Sequence, residues 1–288
     1  HPDRVRSVLD SVSLPTASEL SATFFSALHI STSDGGCIVS ALDFESASNQ
    51  LRIEYFSALS RIALFDLELG PKSPSQLLAI SQALTDLADC VITSALAIAR
   101  IGIDRADQCD LMIFSLGKCG GQELNYLSDV DVIFMISPNG SLEPDENLNI
   151  ATRLAQRVIS ICSSANTEGS IWQVDANLRP EGKQGALVRT SSSYEKYYET
   201  WAQDWEFQAL LKIRHVCGDP NEALRFLHFA QSAVWTAADR PGFVDSVQSM
   251  RHAVLDQIPV HERDREIKLG KGGLRDVEFT LQLLQIVH

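Results

Sequence analysis

The stretch that decides the fold runs from Gly117 to Asp131 and reads GKCGGQELNYLSDVD. Apolar segments flank it, because residues 111–116 lead into the glycines and residues 130–135 carry the chain onward. Each apolar segment has the length and composition of a buried strand. The sequence therefore predicts a strand, a glycine-rich turn and a second strand.

Two acids stand at the start of the second predicted strand. Residues i and i+2 of a strand point to the same side, so Asp129 and Asp131 should project together while Val130 faces the other way. Like charges this close repel unless a cation lies between them, and carboxylate oxygens favour magnesium. A lone Asp-x-Asp pair is more often a solvated strand end. Here a glycine-rich turn precedes it, and such turns let backbone N–H groups approach phosphate.

A third acid, Asp175, ends the apolar run at residues 171–175. Three acids on neighbouring strands can hold two metal ions, which stabilise the attacking and leaving oxygens of an in-line displacement. Arg179 and Lys183 follow closely and could contact phosphate oxygens. Taken singly, Asp175 could be a turn acid and Arg179 part of a surface ion pair. The joint pattern favours metal-assisted transfer of a phosphorus-centred group, as in nucleotidyltransferases.

Four ordered segments resemble the bifunctional glutamine synthetase adenylyltransferase/adenylyl-removing enzyme family. They are residues 117–131, 175–180, 205–214 and 267–279, and the resemblance runs from about residue 40 to the end. Ser115, Cys119 and Asn177 depart from the family's pattern, whereas the three acids are intact.

The resemblance implies an α+β fold. Its core would be the mixed sheet of a nucleotidyltransferase at residues 108–190, flanked by an N-terminal helical region at 1–107 and a C-terminal helical domain at 191–288. Asp129, Asp131 and Asp175 would be the catalytic metal ligands for two Mg²⁺ ions. The implied nucleotide and phosphate contacts are Gly117, Lys118, Gly120, Gly121, Ser128, Arg179, Lys183, Lys268 and Lys271.

The amino-acid sequence of residues 205–212 and 266–270 is more similar to the adenylyl-removing half of that family. This resemblance implies phosphorolysis, in which inorganic phosphate removes AMP from a tyrosine of adenylylated glutamine synthetase and ADP is released. The implied partners are glutamine synthetase, ATP or ADP, inorganic phosphate and a PII-type signal protein.

Three alternatives remain open at this point. The first is ATP-dependent adenylylation of glutamine synthetase, which the other half performs. The second is a nucleotidyltransferase acting on PII proteins or small molecules, which we expect to lack the segment at residues 268–279. The third is a non-catalytic docking module with a decayed core, against which the intact acids argue.

The composition excludes several other classes. A net charge of −13 argues against a nucleic-acid partner, since neutralising phosphates requires clustered Lys and Arg. The six cysteines lack C-x-x-C spacing, which is typical of reduced thiols in a cytoplasmic protein. No apolar run approaches the roughly eighteen residues that a membrane span requires, so we expect no membrane association.

Apolar periodicity predicts helices over most of the remaining chain. They are placed at residues 44–69, from 74 onward after an N-cap at Ser73, at 145–163, from 192 to about 216, at 219–235 and at 241–256. Residues 1–35 should form a loosely organised helical lead-in, and residues 138–140 a turn. Residues 187–188 could add a short strand, and the aromatic residues at 194–207 are expected to pack in the core.

Overall fold

The structure is a computed structural model that describes residues 13–69, 73–138, 142–263 and 265–288. Its helices are α1 (Ala17–Ala27), α2 (Phe44–Leu69), α3 (Pro74–Ala99), α4 (Gly117–Gly120), α5 (Pro144–Ser163), α6 (Ser191–Thr200), α7 (Asp204–Leu210), α8 (Pro220–Ala237), α9 (Phe243–Asp256) and α10 (Leu274–Val287). Its strands are β1 (Ile30–Thr32), β2 (Ile38–Ser40), β3 (Leu111–Ser115), β4 (Val130–Ile136), β5 (Val174–Asp175), β6 (Val188–Thr190) and β7 (Arg214–Cys217).

Several predicted elements are confirmed by these bounds. The helix at residues 44–69 is α2, and α5 begins one residue before its predicted start. The predicted start of α3 is also correct: the Ser73 side chain accepts a hydrogen bond from the Gln76 backbone N–H, and Pro74 occupies the first turn. That arrangement satisfies an N–H group that would otherwise lack a partner.

The central sheet is mixed and has the strand order β5-β4-β3-β7, with β6 also pairing with β4. Strands β3 and β4 are antiparallel, from Leu111 opposite Ile136 to Ser115 opposite Val132. Strands β5 and β6 both run parallel to β4, one beside its beginning and the other beside its end. The sequence-based prediction of two strands flanking a glycine turn is therefore confirmed.

Alternate residues of the central strands enter two different hydrophobic clusters. Val130, Val132 and Phe134 belong to the cluster that contains buried residues of α1, α2, α3 and α5. Ile133 and Met135 belong to the cluster that contains buried residues of α6 to α10. Side chains alternate between faces along a strand, so the N-terminal and C-terminal helices cover opposite faces of one sheet.

The single helix predicted from residue 192 to about 216 is wrong. The chain forms α6 and α7, and residues 214–217 are a strand, β7. Strand β7 pairs with the outer edge of β3, with a register shift between Ile113 and Phe114. Without that partner, buried backbone N–H and C=O groups at the edge of β3 would be unpaired. The free-energy cost of leaving them unpaired is greater than the local preference for a helix.

The N-terminal prediction is correct only in part. Helix α1 lies within the predicted helical lead-in, but residues 30–40 form the antiparallel hairpin of β1 and β2. Gly36 in its turn has φ +85°, a conformation that glycine adopts without steric cost. Residues 1–12 lie outside the described residues, as do two of the three residues of the turn predicted at 138–140.

Helix α3 corrects the expectation that no segment is long and apolar enough to cross a membrane. Its most apolar window has a mean hydropathy of 1.3, yet 78% of that window is buried inside the protein. A core helix has this combination of composition and burial. The helix packs against α2 and α5 in the N-terminal cluster.

The prediction that the aromatic residues at 194–207 pack in the core is correct in part. Tyr194, Tyr198 and Phe207 are buried in the C-terminal cluster, whereas Trp201 and Trp205 in the same stretch are 69% and 37% exposed, so the prediction is wrong for these two. All six cysteines are unpaired and buried. Burial raises the pKa of the Cys119 thiol to about 12, so this cysteine of the glycine turn packs as a small apolar group.

Candidate active site

The three acids meet at the beginning of β4. Asp131 on β4 and Asp175 on β5 are paired neighbours on parallel strands, and so their side chains project from the same face. Asp129 precedes Asp131 by two residues and shares that side. One carboxylate oxygen from each acid can be chosen so that all three lie within 4.8 Å of one another. The backbone N–H of Asn177 donates a hydrogen bond of 2.7 Å to Asp175 and helps to fix its orientation.

Gly117 lies directly against Asp131. It follows β3 with φ +54°, and a Cβ atom built there would lie 2.2 Å from Oδ2 of Asp131. The backbone N–H of Leu116 also donates to the Asp131 carbonyl at 2.9 Å. This close approach requires a residue without a side chain, so glycine is explained here by contact with a candidate metal ligand.

The predicted glycine loop is one helical turn, α4, followed by Gly121. The N–H groups of Gly120 and Gly121 donate within this turn, to the carbonyls of Leu116 and Gly117. They are therefore not free to bind phosphate as predicted. Their small size has a packing explanation instead, since a Cβ on Gly120 would lie 1.9 Å from the Lys212 carbonyl oxygen. A Cβ on Gly121 would lie 2.9 Å from Cδ of the same lysine.

Two cations influence the acids electrostatically. Burial, and then the charges of Asp129 and Asp175, raise the pKa of the Asp131 carboxyl to about 6. Arg275 and Lys118 act in the opposite direction. Lys118 is exposed on the glycine turn, and Arg275 lies in the first turn of α10. Arg275 is not among the phosphate contacts predicted from the sequence, although it belongs to the segment at residues 267–279.

The sequence also predicts phosphate contacts at Arg179, Lys183, Lys268 and Lys271. The Arg179 guanidinium donates to the backbone carbonyls of Ala176, Lys183 and Gly185, and thereby holds its own loop together. Lys183, Lys268 and Lys271 are exposed, and the contacts of the described residues join none of them to the three acids.

Lys271 and Ser128 lie in different parts of the structure. Lys271 lines a cavity of about 730 Å³ between the end of α9 and the turn before α10. None of the three acids is among the residues that line this cavity. Ser128 is buried immediately before Asp129.

Comparison with known proteins identifies the family. The family described as glutamate-ammonia ligase adenylyltransferase matches residues 21–229, a segment that includes all three acids and the glycine turn. The chain belongs to the glutamate-ammonia ligase adenylyltransferase family. The sequence-based resemblance is thereby confirmed.

Curated relatives carry the name bifunctional glutamine synthetase adenylyltransferase/adenylyl-removing enzyme. The protein of Streptomyces coelicolor is 52% identical over 210 residues, which cover 71% of this chain and 21% of the relative. The protein of Streptomyces avermitilis is 49% identical over 83% of this chain and 24% of its own length. That of Cutibacterium acnes is 47% identical over 84% and 25%, respectively. The chain thus spans about a quarter or less of these adenylyltransferases.

A second family, described as PII-uridylyltransferase, matches residues 248–288. This match corrects the expectation that transferases acting on PII proteins would lack the segment at residues 268–279. The segment carries Arg275 and forms the start of α10, so it does not distinguish glutamate-ammonia ligase adenylyltransferases from the second family.

The acid cluster fits the magnesium that the sequence predicts. Carboxylate oxygens are the donors that magnesium prefers, and three such groups can hold one ion or two. Burial, and then the charges of Asp129 and Asp175, raise the pKa of Asp131, and a bound cation would stabilise its ionised form. Among the described residues, no other group of three His, Cys, Asp or Glu side chains converges in this way.

This electrostatic strain predicts a pH-dependent effect of Asp131→Asn in metal-free protein. The unfolded carboxyl titrates near 3.8 and the folded one near 6, so the free energy of unfolding of the parent falls as pH rises between these values. The variant lacks that penalty. We expect its melting temperature, measured in chelator, to equal the parent's near pH 3.8 and to exceed it increasingly up to about pH 6. A variant less stable than the parent at pH 7 would mean that Asp131 serves mainly as a structural hydrogen-bond acceptor.

Proposed function

We propose that the chain is the catalytic unit of a magnesium-dependent nucleotidyltransferase that removes AMP from adenylylated glutamine synthetase. The observation that carries this proposal is the placement of Asp131 and Asp175 side by side on parallel strands, with Asp129 on the same side. A strand, a glycine turn and an acid-bearing strand around such a cluster support a nucleotidyltransferase fold. The names of the relatives support glutamine synthetase as the protein substrate.

The proposed reaction is phosphorolysis. An oxygen of inorganic phosphate forms a bond to the AMP phosphorus, and the bond between that phosphorus and the tyrosine oxygen breaks. The tyrosine oxygen takes up the proton that the attacking hydrogen phosphate loses, so the products are ADP and the free tyrosine hydroxyl. Magnesium held by the acids would neutralise the charge that develops on the phosphoryl oxygens. No protein nucleophile is needed, because phosphate itself attacks.

Residues of this chain have separable roles in the proposal. Asp129, Asp131 and Asp175 hold the metal, and Gly117 keeps the backbone of the turn against Asp131. Lys118 and Arg275 supply positive charge close enough to affect Asp131, which suits them to bind phosphate oxygens. Arg179 supports its own loop in this proposal, and Lys183, Lys268 and Lys271 remain candidates for contacting free phosphate.

The direction of transfer is the finer part of the proposal. The resemblance of residues 205–212 and 266–270 to the adenylyl-removing half supports phosphorolysis over adenylylation. Lys212 connects the first of these regions to the glycine turn and to α10. Lys212 lies 2.7 Å from Glu123, after the glycine turn, and 3.8 Å from Glu278 on α10. ATP-dependent adenylylation by the same acids is the second candidate, which the bifunctional names of the relatives keep open.

Labelled phosphate distinguishes the two directions. The chain, adenylylated glutamine synthetase, magnesium and ³²P-labelled inorganic phosphate should together yield labelled ADP. The parallel reaction of ATP labelled at the α-phosphate with unmodified glutamine synthetase should leave that protein unlabelled. Transfer of AMP from ATP without formation of ADP from phosphate would reverse the assignment.

Regulation and location complete the proposal. We propose that a PII-type signal protein regulates the enzyme, that it binds ATP or ADP, and that it is located in the cytoplasm. These properties are consistent with control of nitrogen assimilation. The family membership supports a role in that metabolism.

A further inference from the structure

Arg214, the first residue of β7, makes a bidentate ion pair beside the glycine turn. It is the strand partner of Ser115, the last residue of β3. Its Nη1 lies 2.5 Å from Oδ2 of Asp89 on α3, and its Nη2 lies 2.9 Å from Oδ1. Two parallel hydrogen bonds fix the orientation of both groups, and a lysine could not reproduce them.

The same guanidinium reaches the backbone of the glycine turn. Nη2 of Arg214 donates a hydrogen bond of 3.0 Å to the carbonyl oxygen of Cys119. The side chains of Arg214 and Asp89 are 24% and 23% exposed, so solvent screens the pair only partly. Helix α3, strand β7 and the turn are thus joined through one side chain.

The glycine turn has little room on either side. On one side, the Lys212 carbonyl oxygen would lie 1.9 Å from a Cβ on Gly120. On the other side, Oδ2 of Asp131 would lie 2.2 Å from a Cβ on Gly117. A displacement of the turn by about 1 Å would therefore alter the distance between its backbone and Asp131, which is enough to affect catalysis strongly.

We infer that the Asp89–Arg214 ion pair is a positioning element that holds the glycine turn in register with the metal-binding acids. Neither side chain acts on the substrate. Asp89 orients Arg214, and Arg214 holds the Cys119 carbonyl. The effect on transfer rests on the proposed function, whereas the effect on the turn and on metal binding does not.

A pair that only stabilises the fold would behave differently. It would lower the melting temperature when broken but leave the dynamics of the turn and its response to magnesium as they were. The N–H groups of Gly120 and Gly121 report on the turn directly, because both donate hydrogen bonds within it. Gly169 donates to the Asn166 carbonyl in the loop after α5, away from the ion pair, and serves as an internal reference.

The test compares Arg214→Lys and Asp89→Asn with the parent, using the whole chain labelled with ¹⁵N-glycine. The Asn variant preserves side-chain size and the arginine, so it keeps the test open if the Lys variant does not fold. Arg225→Lys is the matched control, because Arg225 pairs with Glu195 and Glu222 away from the turn.

In metal-free protein, amide exchange at Gly120 and Gly121 should become about tenfold faster in the test variants and remain unchanged at Gly169. The magnesium concentration that half-saturates the shift of the Gly117 amide should rise by about tenfold. The control variant should match the parent in both measurements.

The inference is overturned if both quantities stay within twofold of the parent in a folded test variant. Neither quantity depends on turnover. If the parent produces no ADP from phosphate but the test variants change the turn as expected, the proposed function fails and the positioning role stands.

Discussion

Asp131→Asn is expected to lower turnover on the order of a thousandfold at saturating magnesium, while the protein stays folded. The substitution preserves shape but removes the charge of the acid that lies beside Asp175 on the neighbouring strand. Burial, and then the charges of Asp129 and Asp175, raise the pKa of this carboxyl. Its replacement removes one negative charge from the site and so weakens the attraction of the site for a cation. The rate of ADP formation under single-turnover conditions measures the effect.

Asp104→Asn is the matched control for this prediction. Asp104 is an exposed acid outside the cluster, so its substitution removes the same formal charge without touching the site. The control should keep turnover within about twofold of the parent, as is usual for surface substitutions. Turnover of Asp131→Asn within tenfold of the parent would exclude a catalytic metal at this position.

Gly117→Ala is expected to reduce turnover by about a hundredfold, because the turn and Asp131 must separate. The new Cβ would lie 2.2 Å from Oδ2 of Asp131, whereas ordinary contacts begin near 3.4 Å. The carboxylate or the turn must therefore move by about 1 Å, a misplacement of the size that costs this much in rate.

Gly102→Ala separates this clash from backbone strain. Gly102 also has a positive φ, +69°, but a Cβ there would meet nothing within 4 Å. Both variants incur the cost of a left-handed alanine, about 1 kcal/mol. Only Gly117→Ala should lose turnover; equal losses in the two variants would mean that strain, and not contact with Asp131, explains the glycine.

The local pattern of the sequence was sufficient to predict the two strands and two of the acids at the centre of the site. Apolar runs on both sides of the glycines predicted β3 and β4, and the spacing of two residues placed Asp129 and Asp131 on one side of a strand. These predictions depend only on near neighbours in the chain. The register of Asp131 with Asp175 is a pairing between distant segments, which periodicity does not encode.

Long-range contacts also explain what the sequence did not predict. Residues 214–217 continue a helical pattern, but they pair as a strand with the edge of β3. Arg214 contacts Asp89, which is 125 residues away, and no local motif indicates that pairing. Arg179 has the charge of a phosphate ligand, yet nearby carbonyls in its own loop use its hydrogen bonds.

Metal binding tests the central claim most directly, namely that the three acids form a cation site. Mn²⁺, which shares the preference of magnesium for oxygen ligands, can be titrated into the chain and followed by its electron paramagnetic resonance signal. The parent and Asp104→Asn should bind one or two equivalents that magnesium displaces. Asp131→Asn and Asp175→Asn should each bind at least about tenfold more weakly. Equal binding by all four proteins would contradict the account.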